Sequence, residues 1–302
     1  MLEVIFILHL LLMWLWTKRR LSWIIIACAC VGSASFAGLL ANDQPLGTRL
    51  WNTKLIKTDT TAIGKFLVTQ WATELYLQAN TDISDKVYEN FISKLRKQDI
   101  QVYFLLGDAK WIYPEQQTKL SSTLDRYTRY QKQATTKQKF VWLHMDVEPY
   151  TLDGRDRDQS GTILLYQQLI RSIIDRLPEE EIIWDVPFWF DVLPYQNVFW
   201  NWTLGERLWT TTDGLTIMAY RNTAKKIQSI ITEEVALAKR YDKKLIIWVE
   251  TGKSSEWSSV SFCGKGMKVV KKELNKVADT LDNEWIYFGF AIHHYTTRKA
   301  MK

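Results

Sequence analysis

The chain has 302 residues, of which 47% are hydrophobic and 24% are charged, a composition typical of one large folded domain and not of a disordered chain. The formal net charge is +6, and three of the positive charges, Lys18, Arg19 and Arg20, are consecutive. Because no basic stripe with interleaved aromatic residues occurs, we do not expect a nucleic-acid partner. The 15 tryptophans are an unusually large number, and flat indole faces are common platforms for sugars.

Apolar residues flank this basic cluster on both sides, and the run that follows it, from Leu21 to Leu40, is long enough to cross a bilayer. If the basic residues stay in the cytoplasm, everything after the run crosses the membrane. We therefore expect an extracytoplasmic domain over residues 43–302. Residues 1–42 would be an uncleaved membrane anchor, a signal peptide cleaved near Ala37, or a lipoprotein signal ending near Cys28.

From residue 49 onwards, short apolar runs alternate with longer segments whose apolar residues recur at helical spacing, as at Val87, Phe91 and Leu95. Eight such repeats predict a parallel sheet covered by helices. Because about 250 residues hold all eight and no glycine-rich phosphate loop follows the first run, we expect a single closed (β/α)8 barrel, an α/β fold, and not a doubly wound sheet. The predicted strands are Arg49–Ile56, Glu74–Gln78, Ile100–Leu106, Phe140–Val147, Ile182–Val186, Gly214–Ala219, Leu245–Val249 and Trp285–Ile292.

Acidic residues follow several of these strands, and in such a barrel the chemistry takes place at the carboxyl ends of the strands. Alternation along the fourth strand places His144, Asp146 and Glu148 on one face. Two carboxyl groups confined together take different pKa values, which suits the cleavage of a glycosidic bond. A structural network, in which Arg221 neutralises Asp146 or Glu250, is the alternative.

Two motifs resemble the chitinases of glycoside hydrolase family 18: Asp146-Val147-Glu148 after the fourth strand and Met218-Ala219-Tyr220 after the sixth. The resemblance implies that Glu148 is the general acid, that Asp146 orients an N-acetyl group of the substrate, and that Tyr220 supports the cyclised intermediate. The sequence departs from the family elsewhere. Val141, His144 and Arg221 stand where the family usually has aspartate, and no tryptophan ends the eighth strand.

A second resemblance is to the large clan of retaining barrel glycosidases, and it implies that Glu148 is the acid/base and Glu250, after the seventh strand, the nucleophile. Val147 replaces the asparagine that usually precedes the acid/base. More broadly, the segments HMDVEPY, PFWFD, IMAYR, WVETG and GFAIHHY are similar to those of a bacterial TIM-barrel family without an established activity. That likeness spans roughly residues 50 to 295 and implies the barrel fold.

We therefore expect a glycoside hydrolase that acts on an extracytoplasmic polysaccharide. Its catalytic residues would be Glu148, Asp146, Glu250 and Tyr220. The residues expected to bind the carbohydrate are Trp111, His144, Tyr150, Asp185, Trp189, Arg221, Trp248 and His293.

Two other functions stay open. One is a barrel that binds carbohydrate without catalysis. The other is a metal-dependent hydrolase with histidine and carboxylate ligands, which is disfavoured because the adjacent His293 and His294 would point to opposite faces of a strand. We expect no metal and no cofactor, and the sequence makes no prediction about the oligomeric state.

Overall fold

The computed structural model of the protein describes residues 44–153, 158–199 and 201–301. The predicted anchor or signal segment, residues 1–42, lies outside the described residues, and its role therefore stays a prediction. Within the three described ranges, no helix is both long and apolar enough to cross a membrane.

Across these ranges, eight parallel strands close into a barrel, and two short antiparallel strands form a hairpin on one of its loops. The barrel order is β1-β10-β9-β8-β5-β4-β3-β2, with β6 and β7 forming the hairpin. The prediction of a single (β/α)8 barrel is confirmed. The strands are β1 (Leu46–Leu50), β2 (Glu74–Gln78), β3 (Gln101–Leu106), β4 (Leu143–Met145), β5 (Ile182–Pro187), β6 (Pro194–Gln196), β7 (Asn201–Thr203), β8 (Gly214–Met218), β9 (Lys244–Glu250) and β10 (Phe288–His293).

Helices follow the barrel strands and cover the outer face of the barrel, where the leucine, isoleucine and valine side chains of the strands pack against them. Short 3-10 turns, such as Ala109–Ile112 and Phe188–Val192, lie in the loops at the carboxyl ends of the strands. The α-helices are α1 (Leu55–Thr58), α2 (Thr60–Thr69), α3 (Asp85–Arg96), α4 (Gln117–Gln133), α5 (Gln159–Arg176), α6 (Leu204–Thr211), α7 (Ala224–Ile230), α8 (Thr232–Tyr241), α9 (Met267–Leu281) and α10 (Tyr295–Ala300).

The first strand differs from its predicted bounds. We expected Arg49–Ile56, whereas β1 spans Leu46–Leu50. The prediction was wrong because apolar residues on both sides of a turn form one run in the sequence. The chain turns at this point, and the Thr53 backbone N–H donates to the Trp51 carbonyl at 2.9 Å. Arg49 therefore lies near the carboxyl end of its strand, at the end of the barrel where catalytic groups gather.

Aromatic side chains fill much of the barrel interior. Because side chains alternate along a strand, Leu75 and Leu77 of β2 pack with the outer shell while Tyr76 joins the interior cluster. At the amino ends of the strands, the hydroxyls of Tyr76 and Tyr103 each donate to the Glu74 carboxyl at 2.7 Å, and burial raises the pKa of Glu74. The interior is a packed core, and any site must lie above it at the carboxyl ends.

Four turns that precede barrel strands share an unusual backbone conformation. Trp71, Asp99, Asp242 and Trp285 have φ values of 54°, 57°, 51° and 59° and stand just before β2, β3, β9 and β10 respectively. Aspartate tolerates this left-handed region, because its short side chain can hydrogen-bond to the nearby backbone, but a bulky aromatic residue does not. Tryptophan at two of the four turns is therefore costly to the fold.

Replacing Trp285 with asparagine is expected to stabilise the protein. The indole is 89% exposed and has few contacts to lose, while relief of the left-handed strain is worth about 1 kcal/mol. The midpoint of thermal unfolding should then rise by about 2–4 °C. Trp257→Asn is the control, because this indole is 75% exposed on an ordinary backbone. A Trp285→Asn variant no more stable than wild type would contradict the strain argument.

Candidate active site

The segment that follows β4 carries Asp146 and Glu148 to the mouth of the barrel, meaning the end formed by the carboxyl ends of the strands. The Asp146 backbone N–H donates to the Leu106 carbonyl at 2.6 Å. Gly107, after β3, permits this approach, because a Cβ atom there would lie 1.9 Å from the Asp146 carbonyl oxygen. Any side chain at position 107 would displace the segment that carries both carboxyl groups.

Arg49 is the central cation of the mouth. Its Nη2 lies 2.6 Å from Asp146 Oδ2 and 3.5 Å from Asp185 Oδ2, so that one guanidinium serves carboxylates from two other strands. The side chains of Arg49 and Asp146 are only 3% and 8% exposed. A buried carboxylate is expensive unless a cation accompanies it, and Arg49 supplies that cation.

Arg221 does not take this role, which corrects the structural alternative that paired it with Asp146 or Glu250. Its Nη1 donates to the Tyr220 carbonyl at 2.7 Å, and its guanidinium carbon lies 5.0 Å from the centroid of the Phe188 ring. The side chain is half-buried. In the part of the chain that the structure describes, the cation that pairs with Asp146 is Arg49.

His144 and Asp185, both expected to bind substrate, lie beneath the mouth and are 0% and 1% exposed. His144 Nε2 contacts the Asp185 carboxylate and lies 3.2 Å from the Thr216 hydroxyl. Burial raises the pKa of Asp185, an effect that His144 and Arg49 oppose. Both side chains are out of reach of a ligand at the mouth, and they hold the base of the site in place.

Glu148 is half-buried at the mouth. Burial, together with the negative charge of Asp146, raises the pKa of Glu148 to about 7, while a hydrogen bond from Tyr150 and the charge of Arg49 act against this rise. A carboxyl group with this pKa is partly protonated at neutral pH and can donate a proton to a leaving group. This is the property that a general acid requires.

The pKa of Glu250, the last residue of β9, is shifted in the opposite direction. Burial acts to raise its pKa, but hydrogen bonds from His293 and from the backbone of Gly252 and Thr251 outweigh this, and the net pKa is lowered. His293 Nδ1 donates to Oε2 at 2.6 Å, and the Thr251 N–H donates to Oε1 at 2.7 Å. Glu250 is therefore held as a carboxylate.

The same contacts define the orientation of the His293 ring. The Trp51 indole N–H donates to His293 Nε2 at 3.0 Å, and an indole nitrogen can only donate. Nε2 is therefore the nitrogen that accepts this hydrogen bond, and Nδ1 is the nitrogen that faces Glu250. His293 thus orients the Glu250 carboxylate between two fixed contacts.

Tyr220, two residues after β8, is influenced by the charges of the other residues predicted to be catalytic. Burial raises the pKa of Tyr220 well above its ordinary value. Arg49 lowers it, while Glu250, Glu148 and Asp146 raise it further, so all of these charges act on one phenol. The Tyr220 ring also stacks on His293, with centroids 6.3 Å apart. The charges at positions 146, 148 and 250 thus all influence Tyr220, and the catalytic roles of these four residues stay a prediction.

The four aromatic residues expected to stack on sugars differ in exposure. Trp248 is 1% exposed, and its ring lies parallel to that of His144 at 5.8 Å, inside the barrel. Trp111 is 4% exposed and lines a cavity of about 220 Å³ beside the ends of β2 and β3. Neither offers a free ring face to a ligand at the mouth. Tyr150 and Trp189 are half-buried and in edge contact at 5.4 Å, so part of each ring is accessible.

Sequence reasoning missed two residues of the mouth, Arg49 and Trp51. Arg49 stood at the start of the predicted first strand, which would have put it at the opposite end of the barrel. Trp51 is 41% exposed, and its ring lies 3.8 Å from the Arg49 guanidinium carbon. A strand boundary drawn before the Trp51-Asn52-Thr53 turn would have identified both residues.

The two adjacent histidines do not separate as expected. The rings of His293 and His294 make an edge contact with centroids 5.0 Å apart. The expectation of opposite faces was wrong because β10 ends at His293, so the alternation of a strand no longer applies to the next residue. Among the described residues, no group of three or more histidine, cysteine or acidic side chains is arranged to hold a metal ion.

No protein-family model matches the sequence, and no curated protein matches it either. Solved structures do match the fold. A β-1,3-glucanosyltransferase from Rhizomucor miehei has a TM-score of 0.51 at 10% identity, with 82% of this chain and 86% of that chain covered. Active domain 2 of a chitinase from Pyrococcus furiosus has a TM-score of 0.51 at 10% identity, covering 82% and 83%.

A third neighbour, an intracellular xylanase from Thermoanaerobacterium saccharolyticum, has a TM-score of 0.50 at 7% identity and covers 84% of this chain and 87% of that chain. The structural neighbours of the chain are thus glycoside hydrolases and related enzymes with a closed barrel of parallel strands. At such low identities the likeness shows the fold alone, and any activity must be argued from the site itself.

Proposed function

We propose that the protein is a glycoside hydrolase in which Glu148 is the general acid and Glu250 the nucleophile. One observation carries the proposal. Two carboxyl groups at one barrel mouth have pKa values displaced in opposite directions, with that of Glu148 raised to about 7 and that of Glu250 lowered. Cleavage of a glycosidic bond with retention requires one protonated and one ionised carboxyl group.

The geometry favours a two-step mechanism over one assisted by an acetamido group of the substrate. Such assistance needs a carboxylate that is free to orient the acetamido group. Asp146 would take that part, but it is 8% exposed and paired with Arg49 at 2.6 Å. Its negative charge instead raises the pKa of Glu148. Glu250, ionised and oriented by His293, is the better placed group to attack the sugar.

The proposed reaction consists of two successive displacements at the anomeric carbon. A Glu250 oxygen forms a bond to the anomeric carbon while the bond to the leaving oxygen breaks, and that oxygen takes the proton of Glu148. Glu148, now a carboxylate, removes a proton from water, whose oxygen attacks the anomeric carbon and releases Glu250. Tyr220 lies among these charges, and Trp51, Tyr150 and Trp189 offer accessible aromatic surface to the sugar rings.

The experiment is a screen of the full-length protein against chitin, glucans, xylan, mannan and peptidoglycan, with detection of new reducing ends. We expect hydrolysis of at least one polysaccharide, with retained anomeric configuration by NMR. Polysaccharide binding without cleavage would instead identify a non-catalytic carbohydrate-binding barrel. Inverted configuration would remove Glu250 as nucleophile, and activity lost to a chelator and restored by a metal ion would favour a metal-dependent hydrolase.

The location of the substrate rests on the predicted N-terminal segment. The apolar run from Leu21 to Leu40 after a basic cluster predicts export of the barrel. We therefore propose an extracytoplasmic polysaccharide as the substrate, with the protein either membrane-anchored or released after cleavage.

Replacing His293 with phenylalanine is expected to move the acidic limb of the pH profile of kcat/KM to higher pH. The variant loses the Nδ1–H donor that lowers the pKa of Glu250, so the nucleophile ionises only at higher pH. His294→Phe is the control, since that ring lies beside His293 at 5.0 Å but is not among the groups that lower the pKa of Glu250. An acidic limb that stays in place in the His293 variant would refute the proposed link between this histidine and the nucleophile.

A further inference from the structure

Two exposed tryptophans lie at the end of the barrel opposite the mouth, on either side of the point where the chain enters the first strand. Trp71 precedes β2 and is 43% exposed, and Trp285 precedes β10 and is 89% exposed. In the closed barrel, β2 and β10 are the two neighbours of β1. The two turns therefore lie on either side of the start of β1, where the Pro45 carbonyl accepts a hydrogen bond from the Phe290 N–H at 2.8 Å.

The left-handed turns themselves do not require tryptophan, although the Trp71 ring also packs against the Lys271 ammonium, which lies 2.9 Å from its centroid. The equivalent turns one strand further away on each side have Asp99 before β3 and Asp242 before β9, in the same left-handed conformation. Aspartate fits this conformation at little cost, whereas tryptophan is strained there. Trp285 also leaves most of its large apolar ring in water. The exposed Trp285 indole and the exposed part of the Trp71 indole, in the two turns beside the start of β1, point to something outside the barrel that the indoles contact.

We propose that this end of the barrel rests on the interfacial region of a lipid bilayer, with Trp71 and Trp285 inserted among the headgroups. Indole rings favour this region, because one edge is apolar and the N–H can bond to water or headgroups. The apolar run that can span a bilayer ends at Leu40. Only residues 41–44 separate it from Pro45, a length of chain that reaches about 18 Å at most.

This proposal is independent of the hydrolase proposal, because it involves the amino ends of the strands and none of the residues at the mouth. It has a consequence for orientation. If Trp71 and Trp285 lie at the lipid surface, the carboxyl ends of all the barrel strands point away from the membrane. The site at Glu148 and Glu250 then faces material that lies beyond the lipid surface, and not the lipid itself.

The test uses the full-length protein in nanodiscs of phosphatidylcholine and phosphatidylglycerol. Cys28, Cys30 and Cys263 are replaced by serine, and an environment-sensitive NBD fluorophore is attached at Trp285→Cys. The matched control carries the fluorophore at Trp202→Cys, an indole on β7 at the mouth that is 64% exposed. Trp71→Cys provides a second test position, and circular dichroism verifies that each labelled variant is folded.

We expect NBD at positions 285 and 71 to emit at shorter wavelength than at position 202. Lipids with a doxyl group near the headgroup should quench the NBD fluorescence several-fold more strongly at positions 285 and 71 than at position 202. Equal quenching at all three positions would overturn the proposal. A blue shift at position 285 without quenching by the lipid label would also overturn it, because a protein segment and not lipid would then cover this end of the barrel.

Discussion

Replacing Glu148 with glutamine is expected to lower kcat by about 10²–10⁴-fold, the usual contribution of a positioned general acid. The change keeps the shape of the side chain but removes the proton that the leaving oxygen needs. The decrease in kcat should be much smaller on an aryl glycoside of the same sugar, because its leaving group departs without protonation. Steady-state kinetics on both substrates make the comparison.

The pH profile provides a second measure of the same residue. Wild type requires protonated Glu148, so kcat/KM should fall as the pH rises above about 7, the pKa that burial and Asp146 set for this group. The Glu148→Gln variant should lose this basic limb. Glu256→Gln, in the exposed part of the loop after β9, is the control and should behave as wild type. A variant at position 148 with wild-type kcat would eliminate Glu148 as the acid.

Replacing Arg49 with methionine is expected to lower the free energy of unfolding by about 3–5 kcal/mol, because the change leaves the charges of Asp146 and Asp185 buried without their cation. Chemical denaturation at neutral pH measures the loss. Arg221→Met is the matched control, since this half-buried guanidinium bonds to the Tyr220 carbonyl, and it should cost less than about 1 kcal/mol.

The destabilisation should depend on pH with a defined sign. Burial raises the pKa of Asp185, and Arg49 opposes this rise, so loss of Arg49 raises the pKa further. A carboxyl group whose pKa is raised by folding favours the folded state when protonated and opposes it when charged. The difference in the free energy of unfolding between wild type and Arg49→Met should therefore become smaller as the pH falls. A difference that widens in acid would exclude buried charge as its cause.

The fold was predictable because its signal is local and repeated. Each strand is a short apolar run, and each helix has its own period, as at Val87, Phe91 and Leu95; the predicted second strand, Glu74–Gln78, has the observed bounds. Where one apolar run included a turn, as after Leu50, the boundary was misplaced. Sequence patterns contain the period of an element but not the point at which the chain changes direction.

The candidate site was predictable only where neighbours in sequence are also neighbours in space. Asp146 and Glu148 were found together because they are two residues apart in one short segment, although β4 ends at Met145 and the predicted alternation does not extend to them. Arg49 pairs with Asp146 across the barrel, at a separation of 97 residues, and no local pattern indicates such a partner. The sequence also does not show how deeply a side chain is buried. Trp248 and His144 have the same alternation as residues at the mouth, but they lie one layer deeper in the barrel.

The pair formed by Arg49 and Asp146 also affects when the chain can fold during its synthesis. The ribosome makes the guanidinium 97 residues before its carboxylate partner. A nascent fragment with only β1, β2 and β3 would either bury a bare cation or leave the barrel axis open to water, and both states are unfavourable. Stable partial structures are thus discouraged until β4 and β5 have been synthesised.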